Sequence, residues 1–208
     1  MESNNNTGRF KGCIPSYGDA DLCAAIMDTN RENWQRPDIV GKLITQPGMT
    51  VVDLGAGTGY FVDLFSKKLP EGKIIALDPE PSLITWMEER KNRGSMDNVS
   101  IHKITENDPG LDQLNVEIDI LFVGYTYFHF NTPVRYFREK IYPYIQNKTV
   151  VAIADMAPVP GQVRHTVSSE QVIMEMVKAG FELTDEPTTC YDQYLLVFKK
   201  VPQKYVSE

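Results

Sequence analysis

The chain has 208 residues, enough for one well-filled core and short for two. Hydrophobic residues make up 42% and charged residues 24%, which excludes a disordered or fibrous chain. A formal net charge of -7 argues against a binder that gains its affinity by neutralising phosphates, so no nucleic-acid partner is expected.

Residues 1–12 are polar and Asn-rich, with no apolar stretch of the kind a secretory leader needs, and read as a disordered tail. No run of about 18 apolar residues occurs, so no membrane association is expected and a cytoplasmic location follows. Cys13, Cys23 and Cys190 are odd in number and far apart, which fits free thiols rather than a disulfide framework or a metal set.

Residues 13–48 form the next unit, a helical cap. Leu22, Ile26 and Met27 recur on one helical face, and Ile39, Val40, Leu43 and Ile44 on another. Pro37 suits the first turn of the second helix, with Asp38 favourable to its dipole.

From Met49 the rhythm becomes strand–helix alternation over 49–200, followed by a tail at 201–208. Strands are expected at 50–54, 73–78, 98–103, 118–124, 149–155, 181–186 and 193–199, and helices at 58–69, 82–93, 133–145 and 168–179. Thr132 precedes Pro133 as a cap, Ser168 and Gln171 have capping-box spacing, and Gly180 follows as a stop. Val51–Leu54 and Ile118–Val123 are apolar on both faces, as a parallel sheet covered on both sides requires. This predicts an α/β, Rossmann-like, doubly wound sheet. Only a short turn separates the last two strands, so the final strand is expected to be antiparallel.

The turn after the first of these strands reads Val-Val-Asp-Leu-Gly-Ala-Gly-Thr-Gly-Tyr-Phe, with Gly55, Gly57 and Gly59 at alternate positions. Glycine permits positive φ and close backbone approach to a ligand. The dinucleotide fingerprint would have its third glycine one residue later, at Tyr60. Asp53 stands before the turn, where it would repel a pyrophosphate but attract an ammonium. The next strand ends in Asp78, suited to accept hydrogen bonds from a ribose diol.

These two segments, Val51–Phe61 and Ile74–Pro81, resemble the class I S-adenosylmethionine-dependent methyltransferases, and the likeness covers about three-quarters of the chain. More narrowly, Arg31, Trp34, Gln35 and Pro37, with Thr126, Tyr127 and His129, resemble a group of small methyltransferases. The resemblance implies a seven-stranded sheet of order 3-2-1-4-5-7-6 and S-adenosyl-L-methionine as cofactor. It assigns Asp53, Gly55, Gly57 and Gly59 to the methionine moiety and Asp78 to the ribose, with Ala56, Tyr60 and Pro79 beside them. Thr105 and Glu106 stand near the expected adenine position, where the family often has an Asp. Tyr125 and Phe128 stand where the subgroup often has an Asp and a His.

Methyl transfer from a sulfonium is an in-line displacement, so alignment and exclusion of water dominate, and a base matters only for an acceptor that must lose a proton. His129 has the ordinary pKa of a base, and Tyr127 is its neighbour; these two are the catalytic candidates. Asp155 ends the fifth strand, before a loop through Gly161 that can line an acceptor site. Arg164 and His165 suit an anionic substrate, and Trp34, Gln35, Tyr125 and His165 are candidates for an acceptor lid. His102, His129 and His165 lie on separate elements, so no metal is expected. The expected function is methyl transfer to a small-molecule acceptor. The alternatives are a catalytically silent methyltransferase-like partner protein and, third, an NAD(P)-dependent oxidoreductase. The sequence leaves the oligomeric state open.

Overall fold

The computed structural model describes residues 35–94, 96–161 and 166–202. Trp34, Arg164 and His165, and most of the expected cap and both tails, lie outside the described residues.

The short helix α1 (Asp38–Leu43) leads into the repeating part of the chain: β1 (Thr50–Leu54), α2 (Tyr60–Lys68), β2 (Lys73–Asp78), α3 (Pro81–Gly94), β3 (Val99–Lys103) and β4 (Ile120–Gly124). Then come α4 (Pro133–Tyr136), β5 (Val150–Met156), α5 (Ser169–Ala179), β6 (Phe181–Leu183), β7 (Thr188–Cys190) and β8 (Gln193–Lys200). The sheet order is β3-β2-β1-β4-β5-β8-β6, with β7 pairing to β8. The first five strands are parallel, and β8 runs antiparallel to β5, β6 and β7. The expected order is therefore observed, with β8 in the place of the seventh strand and β7 as an additional eighth.

Strand alternation divides the apolar residues between the two faces. Val51, Ile74, Ala76, Ile120, Phe122, Ala152 and Ala154 face one way, where α1, α2 and α3 supply Ile39, Val40, Leu43, Phe61, Phe65 and Met87. Val52, Leu54, Ile75, Leu77, Leu121, Val123, Val151 and Ile153 face the other, against Phe137, Ile141, Val172 and Met176. Every one of these strand residues is at most 2% exposed, which is why the strands read as unbroken apolar runs. Helix α1 shares a core with α2, so this part of the expected cap belongs to the helical layer of the sheet.

Two elements depart from expectation. The helix expected at 133–145 is regular only through Tyr136; it widens into a π-turn over Phe137–Ile141 and tightens into a 3-10 turn over Tyr142–Tyr144. Pro143 lacks an N–H and its ring crowds the preceding turn, so an α-helix cannot run through it. The π-turn lets Phe137 and Ile141 both bury fully. The strand expected at 181–186 ends at Leu183, and β7 follows Pro187, which has no N–H for a ladder.

The caps of α5 behave as their residues predict, whereas the expected cap Thr132 makes no side-chain capping bond to α4. Ser168 accepts the Gln171 N–H at 3.2 Å, and Gly180 closes α5 at φ 101°. The Gln171 side chain turns to Glu175 instead of completing the box. Replacing Ser168 by Ala should lower the unfolding free energy by about 1 kcal/mol, measured by urea denaturation; no change would show that the cap is dispensable.

Candidate functional site

In a doubly wound sheet the crevice lies where consecutive crossovers part to opposite sides, at the carboxyl ends of β1 and β4. The glycine turn occupies this edge. Gly55, Gly57 and Gly59 all have positive φ, at 81°, 59° and 82°. Leu77 O accepts from the N–H groups of Gly55 and Ala56 at 2.8 and 3.1 Å, and Asp78 Oδ2 accepts from Gly57 N at 2.8 Å. The turn is thereby fastened to the end of β2. On its other side Thr126 Oγ1 donates toward Gly55 O at 3.0 Å and Gly124 O at 3.1 Å. A Cβ at Gly55 would lie 2.3 Å from Thr126 Cγ2, so the turn can approach β4 only without a side chain there.

Asp53 and Asp78 are 2% and 5% exposed, and stand at or near the carboxyl ends of adjacent strands. Burial pushes the Asp78 carboxyl up to about 6, opposed by the N–H groups of Glu80 and Gly57. Each of its oxygens keeps a further lone pair beyond these bonds. Ile104 N donates to Asp78 O at 3.1 Å, which brings the end of β3, and with it Thr105 and Glu106, beside Asp78. Both of those residues are exposed. Ala56 is buried, and Tyr60 and Pro79 are half-buried. A donor set of two buried carboxylates suits a ligand that carries an ammonium and a vicinal diol, and suits a pyrophosphate poorly.

After β4 the strand alternation is broken at Tyr125. Tyr125 turns to the glycine side with φ 54°, in the region that favours glycine, and its ring stacks on Phe61 at 6.0 Å. Its hydroxyl donates to Gln193 Oε1 and accepts from Arg36 N at 3.2 Å. Burial, ahead of other causes, raises its pKa. Thus Tyr125 joins the segment of the lid candidate Gln35 to β8. Gln35 is 6% exposed, and its Oε1 has no hydrogen-bond partner among the described residues.

Tyr127, a catalytic candidate, goes to the other side. It is fully buried among Phe130 and Phe137, and its hydroxyl donates to Glu175 Oε2 at 3.0 Å. Its side chain is thus enclosed in the core and bonded to α5. His129 closes a 3-10 turn over Tyr127–His129, is exposed and packs on Phe128 at 4.0 Å. Asp155, 1% exposed, lies on this side too. It accepts from Met156 N at 2.8 Å, and the N–H groups of Tyr127 and Phe128 favour its ionised form. Burial outweighs them and lifts its pKa to about 7. Asp155 therefore braces the turn that carries His129. Arg36 and Gln193 were not singled out from the sequence; Thr126 was named there only for the resemblance of its segment, not for its bonds to Gly55 and Gly124. Among the described residues no group of His, Cys, Asp and Glu is arranged to hold a metal.

The sequence model of the FtsJ-like methyltransferase family matches residues 38–194. No curated protein matches the sequence. A SAM-dependent methyltransferase from Aquifex aeolicus superposes with a TM-score of 0.76 at 20% identity, over 88% of this chain and 99% of that one. The glycopeptide N-methyltransferase MtfA, solved with (S)-adenosyl-L-methionine, gives 0.64 at 12% identity, over 79% and 92%. The [4+2]-cyclase SpnF gives 0.65 at 14%, over 79% of each chain. At such identities the likeness is one of fold.

Gly55→Ala should cost at least about 2 kcal/mol more in urea unfolding than Gly161→Ala, whose Cβ meets nothing within 4 Å at a similar φ; equal costs would remove the Thr126 contact from the account. A second expectation concerns pH. The folded pKa of Asp155 lies above its unfolded value, so its stabilising contribution is present at low pH and is lost as pH rises through about 7. From pH 5 to 8, Asp155→Asn should gain on the wild type by up to about 3 kcal/mol. A pH-independent difference between the two would contradict the burial argument.

Proposed function

The chain belongs to the FtsJ-like methyltransferase family with S-adenosylmethionine as its cofactor, and from that premise we propose that it transfers the methyl group to a small-molecule acceptor. The observation that carries the reading is the pair of buried carboxylates, Asp53 and Asp78, beside a glycine turn that is held open by positive φ. Asp78 would accept from the ribose hydroxyls through its remaining lone pairs, and Asp53 would face the ammonium. Bound here, the cofactor supplies a methyl group on a cationic sulfur, already activated for displacement.

The protein's own contribution is then alignment and exclusion of water. Tyr125, backed by the buried Phe61 and bonded to the Arg36 backbone, would wall the crevice. His129, on the turn braced by Asp155, is the candidate to accept a proton from a hydroxyl or amine acceptor. The charge pattern favours a small acceptor over a nucleic acid. Besides the net charge of -7, Arg36, Lys67, Arg93, Arg135, Lys140 and Lys148 each stand beside a carboxylate, so they present no bare cationic face.

A catalytically silent protein is the second reading, and the burial of Tyr127 favours it by removing one of two catalytic candidates. Release of S-adenosylhomocysteine during a metabolite screen separates the two: turnover of any acceptor excludes the silent protein, and cofactor binding without turnover by any fraction supports it.

Calorimetric titration should show binding of S-adenosylmethionine and none of NADH; the reverse would overturn the methyl-transfer reading. Asp78→Ala should weaken cofactor binding by about 1–3 kcal/mol. Since only the ionised carboxylate accepts both hydroxyls, wild-type affinity should fall about tenfold between pH 7 and pH 5, through the Asp78 pKa of about 6. A flat pH profile would remove Asp78 from the ribose.

A further inference from the structure

The turn between β7 and β8 is Tyr191–Asp192, with Cys190 and Gln193 paired across it. In a two-residue hairpin loop the first position often takes positive φ, and glycine is the usual occupant. Here the position holds Tyr191 at φ 55°, and the residue is fully exposed, so no burial offsets the backbone strain.

The tip that holds this ring is fixed and lies at the working edge of the sheet. Ala157 N donates to Asp192 O at 2.6 Å, and Gln193 pairs with Met156 at the carboxyl end of β5. Gln193 Oε1 accepts from Tyr125, which in turn accepts from the Arg36 backbone. The hairpin tip therefore rims the same crevice as the glycine turn, on the side of the β5 loop.

We infer that Tyr191 is a specificity residue whose ring stacks on a planar acceptor, a neutral or cationic aromatic heterocycle. The inference rests on the methyl-transfer reading, which makes this crevice an acceptor site. A presented aromatic face selects flat π-systems over saturated rings of equal size. The charge around it selects further: from Phe181 to Phe198 the sequence holds Glu182, Asp185, Glu186 and Asp192 with no Lys or Arg. Such an element repels a phosphate backbone, which sets a small heterocycle ahead of a nucleobase in a strand.

The test uses the full chain as wild type, Tyr191→Phe, Tyr191→Ala and Tyr191→Gly. The probes are 6-hydroxyquinoline, cyclohexanol and a single-stranded decanucleotide, each titrated by NMR in the presence of S-adenosylhomocysteine. Expected are equal quinoline binding by wild type and Tyr191→Phe, binding at least tenfold weaker in the Ala and Gly variants, and none of cyclohexanol. Tyr191→Gly relieves the positive φ and should melt no lower than wild type, which separates loss of the ring from loss of the fold. Unchanged quinoline binding in the Ala and Gly variants, no quinoline binding by the wild type, or Tyr191-dependent binding of the oligonucleotide alone would each overturn the assignment. Calorimetry with S-adenosylhomocysteine alone is the separate arm. Its failure would sink the methyl-transfer reading, whereas Tyr191-dependent quinoline binding would still report the ring site.

Discussion

Asp78 ties together the glycine turn, the end of β2 and the entry to α3, the parts from which the proposed site is built. Its carboxylate, almost wholly buried, takes the N–H of Gly57 on one oxygen and that of Glu80 on the other. The first bond pulls the glycine turn against the end of β2, and the second shapes the entry to α3. A carboxylate in that position pays for its desolvation with a raised pKa, and two backbone donors recover only part of it. The turn between β1 and α2 thus has its path set from the β2 side by Asp78 and from the β4 side by Thr126, and glycine is what makes both approaches possible.

The sheet then sorts function from support by alternation. Asp53, Asp78 and Tyr125 share the face of α1, α2 and α3, where the crevice opens. Tyr127, Asp155 and Tyr194 share the other face, among the side chains of α4 and α5. After β4 the positive φ of Tyr125 breaks that alternation, so Tyr125 and the core Tyr127, two residues apart, lie on opposite sides. On that second face the Asp155 carboxylate braces the turn that starts at Tyr127 and ends in the exposed His129.

Much of this was legible in the residues. The runs Val51–Leu54 and Ile74–Leu77 could be read as covered strands because burial on both faces leaves no polar position to interrupt them. Alternate glycines after such a run, with Asp53 and Asp78 placed around them, identified a turn suited to a charged nucleotide-like ligand. The break after Tyr136 was harder to see, since Phe137 and Ile141 keep helical spacing; it depends on how two large side chains share one space below Pro143. Strand β7 escaped notice because three residues beside a proline carry too little pattern. Tyr127 looked available because its neighbours in sequence are polar or aromatic; its burial depends on Glu175, 48 residues later.

The sequence by itself determined the strand and helix order, the caps of α5, the glycine turn and the acidic pair beside it. These are local properties, fixed by periodicity, by backbone freedom and by the charge of a side chain at a strand end. The tertiary structure alone decided which way Tyr125 and Tyr127 face, that Thr126 closes the glycine turn, and that the Tyr191 hairpin stands at the rim of the crevice. Each of these depends on pairing between segments far apart in the chain, β4 with β1 and β5, and β8 with β5. Such pairing is set by the summed packing of both cores, which no single stretch of sequence contains.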